Sequence, residues 1–78
     1  MAVDYSTAVP VNSVSDEHAY IAAHPCPTCG GRWRLRVQAL LKGAQGRHYD
    51  RVDAICRQCG CRRTFLFDIS PVFAKRQN

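Results

Sequence analysis

Cys26-Pro27-Thr28-Cys29-Gly30 and Cys56-Arg57-Gln58-Cys59-Gly60 decide how this chain is read. Each stretch holds two cysteines two residues apart, the spacing at which a tight turn aims two thiolates at one ion. Each ends in Gly, which lets the backbone turn so that amides approach the sulfurs. The 26 residues between Cys29 and Cys56 suffice for one β-hairpin and not for a domain. Cys26, Cys29, Cys56 and Cys59 are therefore expected to ligate one tetrahedral Zn²⁺. Thiolate softness and tetrahedral geometry select zinc among common cellular ions. An iron centre with the same four-thiolate ligation is the alternative. With sulfur in all four positions no site stays open for water, so the metal is expected to be structural and not catalytic.

The 78 residues make one small domain. Such a chain buries a thin core and needs a staple. Structural zinc in finger peptides contributes about 10–16 kcal/mol at neutral pH, against a typical net domain stability of about 5–15 kcal/mol. Disulfides are the competing use of cysteine, but the count of five is odd and leaves Cys61 over. Met1 to Val14 carries Asp4, Asn12 and several hydroxyls and has no apolar core of a secretory signal. No apolar stretch approaches the roughly 20 residues of a membrane-spanning helix. A cytoplasmic, reducing home is expected, with no membrane association.

Charge is unevenly placed. Residues 1–25 hold Asp4, Asp16 and Glu17 and no Lys or Arg, a net −3. Residues 26–78 hold all 11 Lys and Arg against Asp50, Asp53 and Asp68, a net +8, or +6 once a four-thiolate zinc is included. A basic module implies acidic partners, nucleic acid first among them. The competing reading is that the cations compensate the anionic metal cluster.

Three organisational segments follow: an N-terminal extension over 1–23, the metal-binding unit over 24–73, and a flexible tail over 74–78. Ser13-Val14-Ser15-Asp16 matches a capping box. It predicts a short helix over about 14–23, ended by Pro25 and packed on the metal-binding unit, with an extended segment as the alternative. Residues 32–41 alternate, with Trp33, Leu35, Val37 and Ala39 in one phase and Arg32, Arg34, Arg36 and Gln38 in the other. Lys42 to Gly46 reads as a hairpin loop, 49–55 as the return strand and Arg62 to Ile69 as a third strand. Fold class is therefore small metal-stabilised β with a three-stranded antiparallel sheet. Its expected core is Trp33, Leu35, Val37, Val52, Phe65 and Phe67. Val72 and Phe73 are expected to fold back onto it.

Arg32, Arg34 and Arg36 would leave one strand face about 6.5–7 Å apart, with Arg51 and Arg62 joining across the sheet. Guanidiniums so spaced match successive phosphates. The competing reading is a solvated face on which Asp53 and Asp68 pair with two of the arginines. Tyr49 or His48 near the hairpin tip could add a base-stacking surface. Cys61 is read as a small side chain at a strand start or as a reactive thiol whose pKa nearby Arg57, Arg62 and Arg63 would lower. His24 is read as an ordinary polar residue or as a donor to a ligand sulfur. There is no Ser/His/Asp set, no carboxylate pair placed for acid–base chemistry and no phosphate-cradling Gly loop. No enzyme activity and no small-molecule substrate are expected.

The two knuckles, Cys26–Gly30 with its Cys-Pro-x-Cys-Gly pattern and Cys56–Gly60, and their three flanking strands resemble the zinc-ribbon superfamily over residues 24–69. The run Phe65-Leu66-Phe67-Asp68-Ile69-Ser70 is similar to small bacterial ribbon proteins. The resemblance implies a zinc ribbon acting as a binding or docking module in transcription, ribosomal or nucleic-acid-processing contexts. The ribbons of transcript-cleavage factors carry an acidic pair at the hairpin tip, whereas Lys42 to His48 has no carboxylate. A non-enzymatic module that contacts nucleic acid through its basic sheet face is the leading expectation. A protein-docking or accessory subunit follows, and then a thiol redox or metal sensor through Cys61.

Overall fold

The computed structural model describes residues 5–71. A single turn of 3-10 helix at Tyr5–Thr7 leads into a two-residue strand, β1 (Val9–Pro10). Helix α1 (Val14–Ala23) follows, then β2 (Trp33–Lys42), β3 (His48–Cys56) and β4 (Arg62–Asp68). Val72, Phe73 and the 74–78 tail lie outside the described residues.

The helix starts where the capping residues place it. Ser13 is extended, and its hydroxyl accepts from the Asp16 amide at 3.1 Å. The Asp16 carboxylate in turn accepts from the Asn12 amide at 3.0 Å. Each contact satisfies a backbone donor near a helix N-terminus that has no partner within the helix. At the other end His24 donates its amide to the Ile21 carbonyl, and Pro25 stops the helix.

The sheet has four strands in the order β1-β4-β3-β2, and it is mixed. β2, β3 and β4 form the expected antiparallel meander. β1 adds the difference, pairing parallel to β4 with Val9 opposite Phe67 and Pro10 opposite Asp68. Two residues are too few to show a period of two in the sequence. The pairing is parallel because the chain must cross back over the sheet through α1 before β2 begins. Pro10 is tolerated because this is an edge, where a missing N–H leaves no gap in a ladder.

A second difference lies in β2. Leu35 pairs with Ala54 but Val37 pairs with Asp53, so one extra residue, Arg36, sits in a β-bulge. Residues directly opposite in an antiparallel pair share a face. Before the bulge Trp33 and Leu35 share the helix-side face with Cys56 and Ala54. After it Gln38 and Leu40 take that face, opposite Val52 and Asp50, and Val37 turns to the outer face. α1 packs over β3 and β4, where Ile21 joins Val11, Val52, Ala54, Phe65 and Phe67 in the buried core. It does not reach across β2. Leu35 and Val37, both expected in the core, are consequently 44% and 50% exposed. Trp33 is half-buried and meets Phe65 edge-on at 5.9 Å between ring centroids. Its indole N–H donates to the His24 carbonyl at 2.7 Å, tying the end of α1 to the start of β2.

Under α1 lies a buried carboxyl pair. Glu17 is 2% exposed and Asp50 6%. Gln38 donates its amide to Asp50, and one Glu17 oxygen has no hydrogen-bond partner. Burial first, and then the hydrogen bond with Asp50 and the repulsion of its charge, push Glu17 up to about 8. The folded chain therefore keeps a proton on Glu17 that the unfolded chain gives up near the ordinary value of 4.5. Stability should fall as pH rises from there to about 8, since the unfolded state binds fewer protons across that window. Glu17→Gln removes this proton. Thermal melts of the metal-loaded protein at pH 6, 7, 8 and 9 should show a stability advantage for the variant that grows toward pH 8. Parallel pH profiles for the two proteins would refute the shared-proton contact.

Candidate metal centre

Each knuckle forms from the same hydrogen bonds. In the first, the Cys26 amide donates to the Gly31 carbonyl at 3.0 Å and the Gly30 amide to the Cys26 carbonyl at 2.7 Å. In the second, Cys56 donates to Cys61 at 2.7 Å and Gly60 to Cys56 at 3.1 Å. Gly30 and Gly60 sit at φ +75° and +80°, the left-handed region that favours glycine. The first knuckle follows α1, and the second caps the end of β3.

The sulfurs of Cys26, Cys29, Cys56 and Cys59 all lie within 4.8 Å of one another. Across the knuckles, Cys26 Sγ is 3.6 Å from Cys59 Sγ and Cys29 Sγ 3.4 Å from Cys56 Sγ. Four thiolates about 2.3 Å from a central ion stand about 3.8 Å apart, so the cluster fits a tetrahedral metal. Cys26 and Cys56 are buried, Cys29 is half-buried and Cys59 is exposed.

Backbone amides surround the sulfurs in a repeated pattern. The first cysteine of each knuckle accepts two: Cys26 from Thr28 and Cys29, Cys56 from Gln58 and Cys59. The second accepts one: Cys29 from Gly31, Cys59 from Cys61. The thiol pKa values divide the same way. Burial opposes charge on Cys26, but its amides and neighbouring thiols bring it down to about 6. Cys56 is lowered by the amides of Cys59 and Gln58 against burial. The Gly31 amide favours charge on Cys29, yet the Cys56 thiol and burial push it up. The Cys61 amide likewise fails to offset the Cys61 thiol and burial, and Cys59 is raised. A metal ion deprotonates all four, so binding releases protons and strengthens as pH rises.

Two neighbours matter to the site. Gly31 occupies in the first knuckle the place Cys61 takes in the second. It was not legible as a site residue except through the doubled Gly30-Gly31. A Cβ at Gly31 would stand 2.9 Å from Cys56 Sγ and 2.9 Å from Gln58 Cβ. The cluster therefore closes only around a glycine there. The Cys61 thiol lies 3.6 Å from Thr28 Oγ1, bridging toward the first knuckle. His24 turns away from the sulfurs, its Nδ1 2.8 Å from the Tyr20 carbonyl and its ring stacked on Tyr20.

The arginines do not form one row. Arg32 precedes β2 and lines a cleft beside α1. Arg34 shares the outer face with Ile55, and Arg51 and Arg62 share it through the register with Leu66 and Ile55. Arg36, in the bulge, lines with Arg62 a shallow outer-face depression of about 540 Å³. Neither expected carboxylate neutralises this group fully. Asp68 is drawn to Arg47 at 2.8 Å. Asp53 accepts from the Thr64 hydroxyl at 2.9 Å and lies 3.7 Å from Arg51 Nε. Arg34, Arg36 and Arg62 have no ion-pair partner among the described residues. Tyr49 offers no stacking surface, since it is 6% exposed beneath Tyr5.

No family model matches the chain, and neither a curated protein nor a solved structure is similar to it. No helix among the described residues is long and apolar enough to cross a membrane. The geometry thus defines a small β-rich fold built around a four-cysteine cluster able to hold a metal ion.

Gly31→Ala should weaken metal retention, by about 1–3 kcal/mol as for overpacking elsewhere. The check is competition with a chromophoric chelator. Unchanged competition would show that the cluster does not close on Gly31. Chelation of the unsubstituted protein should collapse its dispersed amide spectrum, and metal should restore it; a spectrum indifferent to chelator would refute a structural role.

Proposed function

We propose that this chain is a non-enzymatic zinc-ribbon module, held by one structural Zn²⁺, that contacts the phosphate backbone of nucleic acid through its outer sheet face. Arg34, Arg36, Arg51 and Arg62 carry the contact. The observation behind this reading is that three of them have no carboxylate partner among the described residues, although Asp53 and Asp68 lie in the same sheet. Arg36, Arg62 and Arg63 line one depression against a single carboxylate, Asp53, that Thr64 and Arg51 already engage, which leaves an excess of guanidiniums for a phosphate. With Tyr5, packed over Tyr49, as an exposed aromatic on that side, affinity still comes mainly from charge and carries little sequence information. Zinc is preferred over iron because four thiolates in tetrahedral array suit it and nothing in the proposed role needs electron transfer. Metal analysis of the purified protein distinguishes the two.

A protein-docking role draws on a different observation, the three exposed apolar side chains Leu35, Val37 and Leu40 of β2.

Fluorescence anisotropy of zinc-loaded protein with single-stranded RNA, single-stranded DNA and duplex DNA tests the nucleic-acid reading. Binding should persist at physiological salt and fall with salt at a slope of about −0.9 per duplex phosphate neutralised. The Arg36→Glu/Arg62→Glu double variant should bind at least about tenfold more weakly, with a shallower slope, while keeping its zinc. Absence of binding, or binding that salt erases equally for all three, would refute it.

A further inference from the structure

β2 ends the sheet, so one side of this ten-residue strand is unpaired among the described residues. Such an edge presents N–H and C=O groups to any extended chain. Here the side chains invite one as well. Leu35, Val37 and Leu40 are 44%, 50% and 61% exposed. Beside the start of the strand a cleft of about 440 Å³ opens between α1 and β2. Ile21, Pro25, Trp33 and Leu35 give it apolar walls, and His18 and Arg32 line it as well. A groove between a helix and a free edge strand is a recurring site of strand addition, with backbone bonds for affinity and a pocket for specificity.

Charge decides the occupant. From Arg32 to Lys42 the chain holds Arg32, Arg34, Arg36 and Lys42 and no carboxylate. A second copy pairing on this edge would lay a strand with the same four cations and no carboxylate alongside, and like charges close across strands destabilise. An acidic chain meets complementary charge from Arg32 to Arg36 and again at Lys42, with no carboxylate between to oppose it. The bulge at Arg36 interrupts the strand and leaves two pairing runs, Trp33–Leu35 beside the cleft and Val37–Lys42 beyond it.

We propose that the free edge of β2 accepts an extended acidic segment of a partner protein as a fifth strand, with one apolar side chain of that segment seated in the cleft between α1 and β2. The segment alternates acidic and apolar residues. Its apolar residues cover Leu35 and Leu40 on the helix-side face, and its carboxylates on the opposite face meet Arg34. Arg34 is the one side chain shared with the proposed nucleic-acid face; the cleft, Leu35 and Leu40 lie outside that face, so the peptide test reads this proposal independently of nucleic-acid binding.

The test uses the full zinc-loaded chain, ¹⁵N-labelled, and a synthetic ten-residue peptide of alternating Leu and Asp. Two further copies of the peptide carry backbone N-methyl groups at the odd or at the even residues, and a Leu-Lys peptide controls for charge. Amide shifts should map to β2 and to Ile21 and Trp33. One of the two N-methylated peptides should lose at least tenfold in affinity, because only one set of N–H groups faces β2. The Leu-Lys peptide should not bind. Leu35→Glu, an exposed position, should weaken the Leu-Asp peptide at least tenfold while zinc content stays at one per chain. The proposal is overturned if shifts map elsewhere, if both N-methylated peptides bind as well as the parent, or if the Leu-Lys peptide binds equally. It is also overturned if the free chain dimerises through β2, or if single-stranded RNA takes the same edge.

Discussion

Four sulfurs converge where the chain entering β2 meets the end of β3, with Trp33 opposite Cys56 and the Arg57 amide donating to the Arg32 carbonyl at 2.9 Å. The first knuckle follows a ten-residue helix, and the second closes a hairpin that begins after it. Among the described residues the apolar core is Val11, Ile21, Val52, Ala54, Phe65 and Phe67, with four partly buried neighbours. A chain of this size leaves a large share of its surface wet even when folded. The amides around the sulfurs come from the knuckles themselves, so each turn is preformed for two thiolates. A metal ion held there would convert two local turns into one tertiary constraint. Trp33 adds the second tie, linking the end of α1 to the start of β2 on the same side as the first knuckle.

Next in consequence is one residue of misalignment. The bulge at Arg36 reverses the phase of β2 midway. A one-residue slip moves every later side chain to the opposite face. In a straight strand Trp33, Leu35, Val37 and Ala39 would have lined one face as a core, and the arginines the other as a stripe. With the bulge, apolar and basic residues appear on both sides of an edge strand. An edge with exposed Leu and Val is usually a hazard, and bulges and charged residues are the usual protection. β2 has both devices, and they would favour a partner chain of opposite charge over a like-charged one.

Much of this was readable from the residues. The paired CxxC turns gave the cluster, Ser13 and Asp16 gave the start of α1, and the alternation of β3 and β4 gave Val52, Phe65 and Phe67 as core. These signals are local, and local geometry decides them. What escaped was non-local. Val9–Pro10 is a strand only because β4 has a free edge for it. Arg36 is a bulge only because β3 imposes the pairing, and nothing in Arg-Val-Gln marks it. Glu17 looks like a first-turn helix acid, which it is, yet it is buried because the sheet places Asp50 beneath it. Gly31 matters through Cys56, 25 positions on in the chain.

The acidic residues explain why the surface is more basic than the formal +5 suggests. Glu17, Asp50 and Asp68 are 2%, 6% and 7% exposed. Glu17, raised to about 8, is largely protonated at neutral pH. Asp68 is held below the usual carboxylate range: burial opposes its charge, but Ser70 and Arg47 outweigh it. Its charge is thus spent on a loop arginine and on the turn after β4. Asp53 is left, and Thr64 and Arg51 occupy it. Asp53 therefore remains the one half-exposed carboxylate beside Arg36 and Arg62 among the described residues, and Arg34, Arg36 and Arg62 keep no ion pair. A solvated face built for solubility alone would pair more of its arginines with carboxylates, because exposed pairs cost little and neutralise repulsion. Here much of the repulsion among Arg34, Arg36 and Arg62 is retained, and an anionic partner would relieve it.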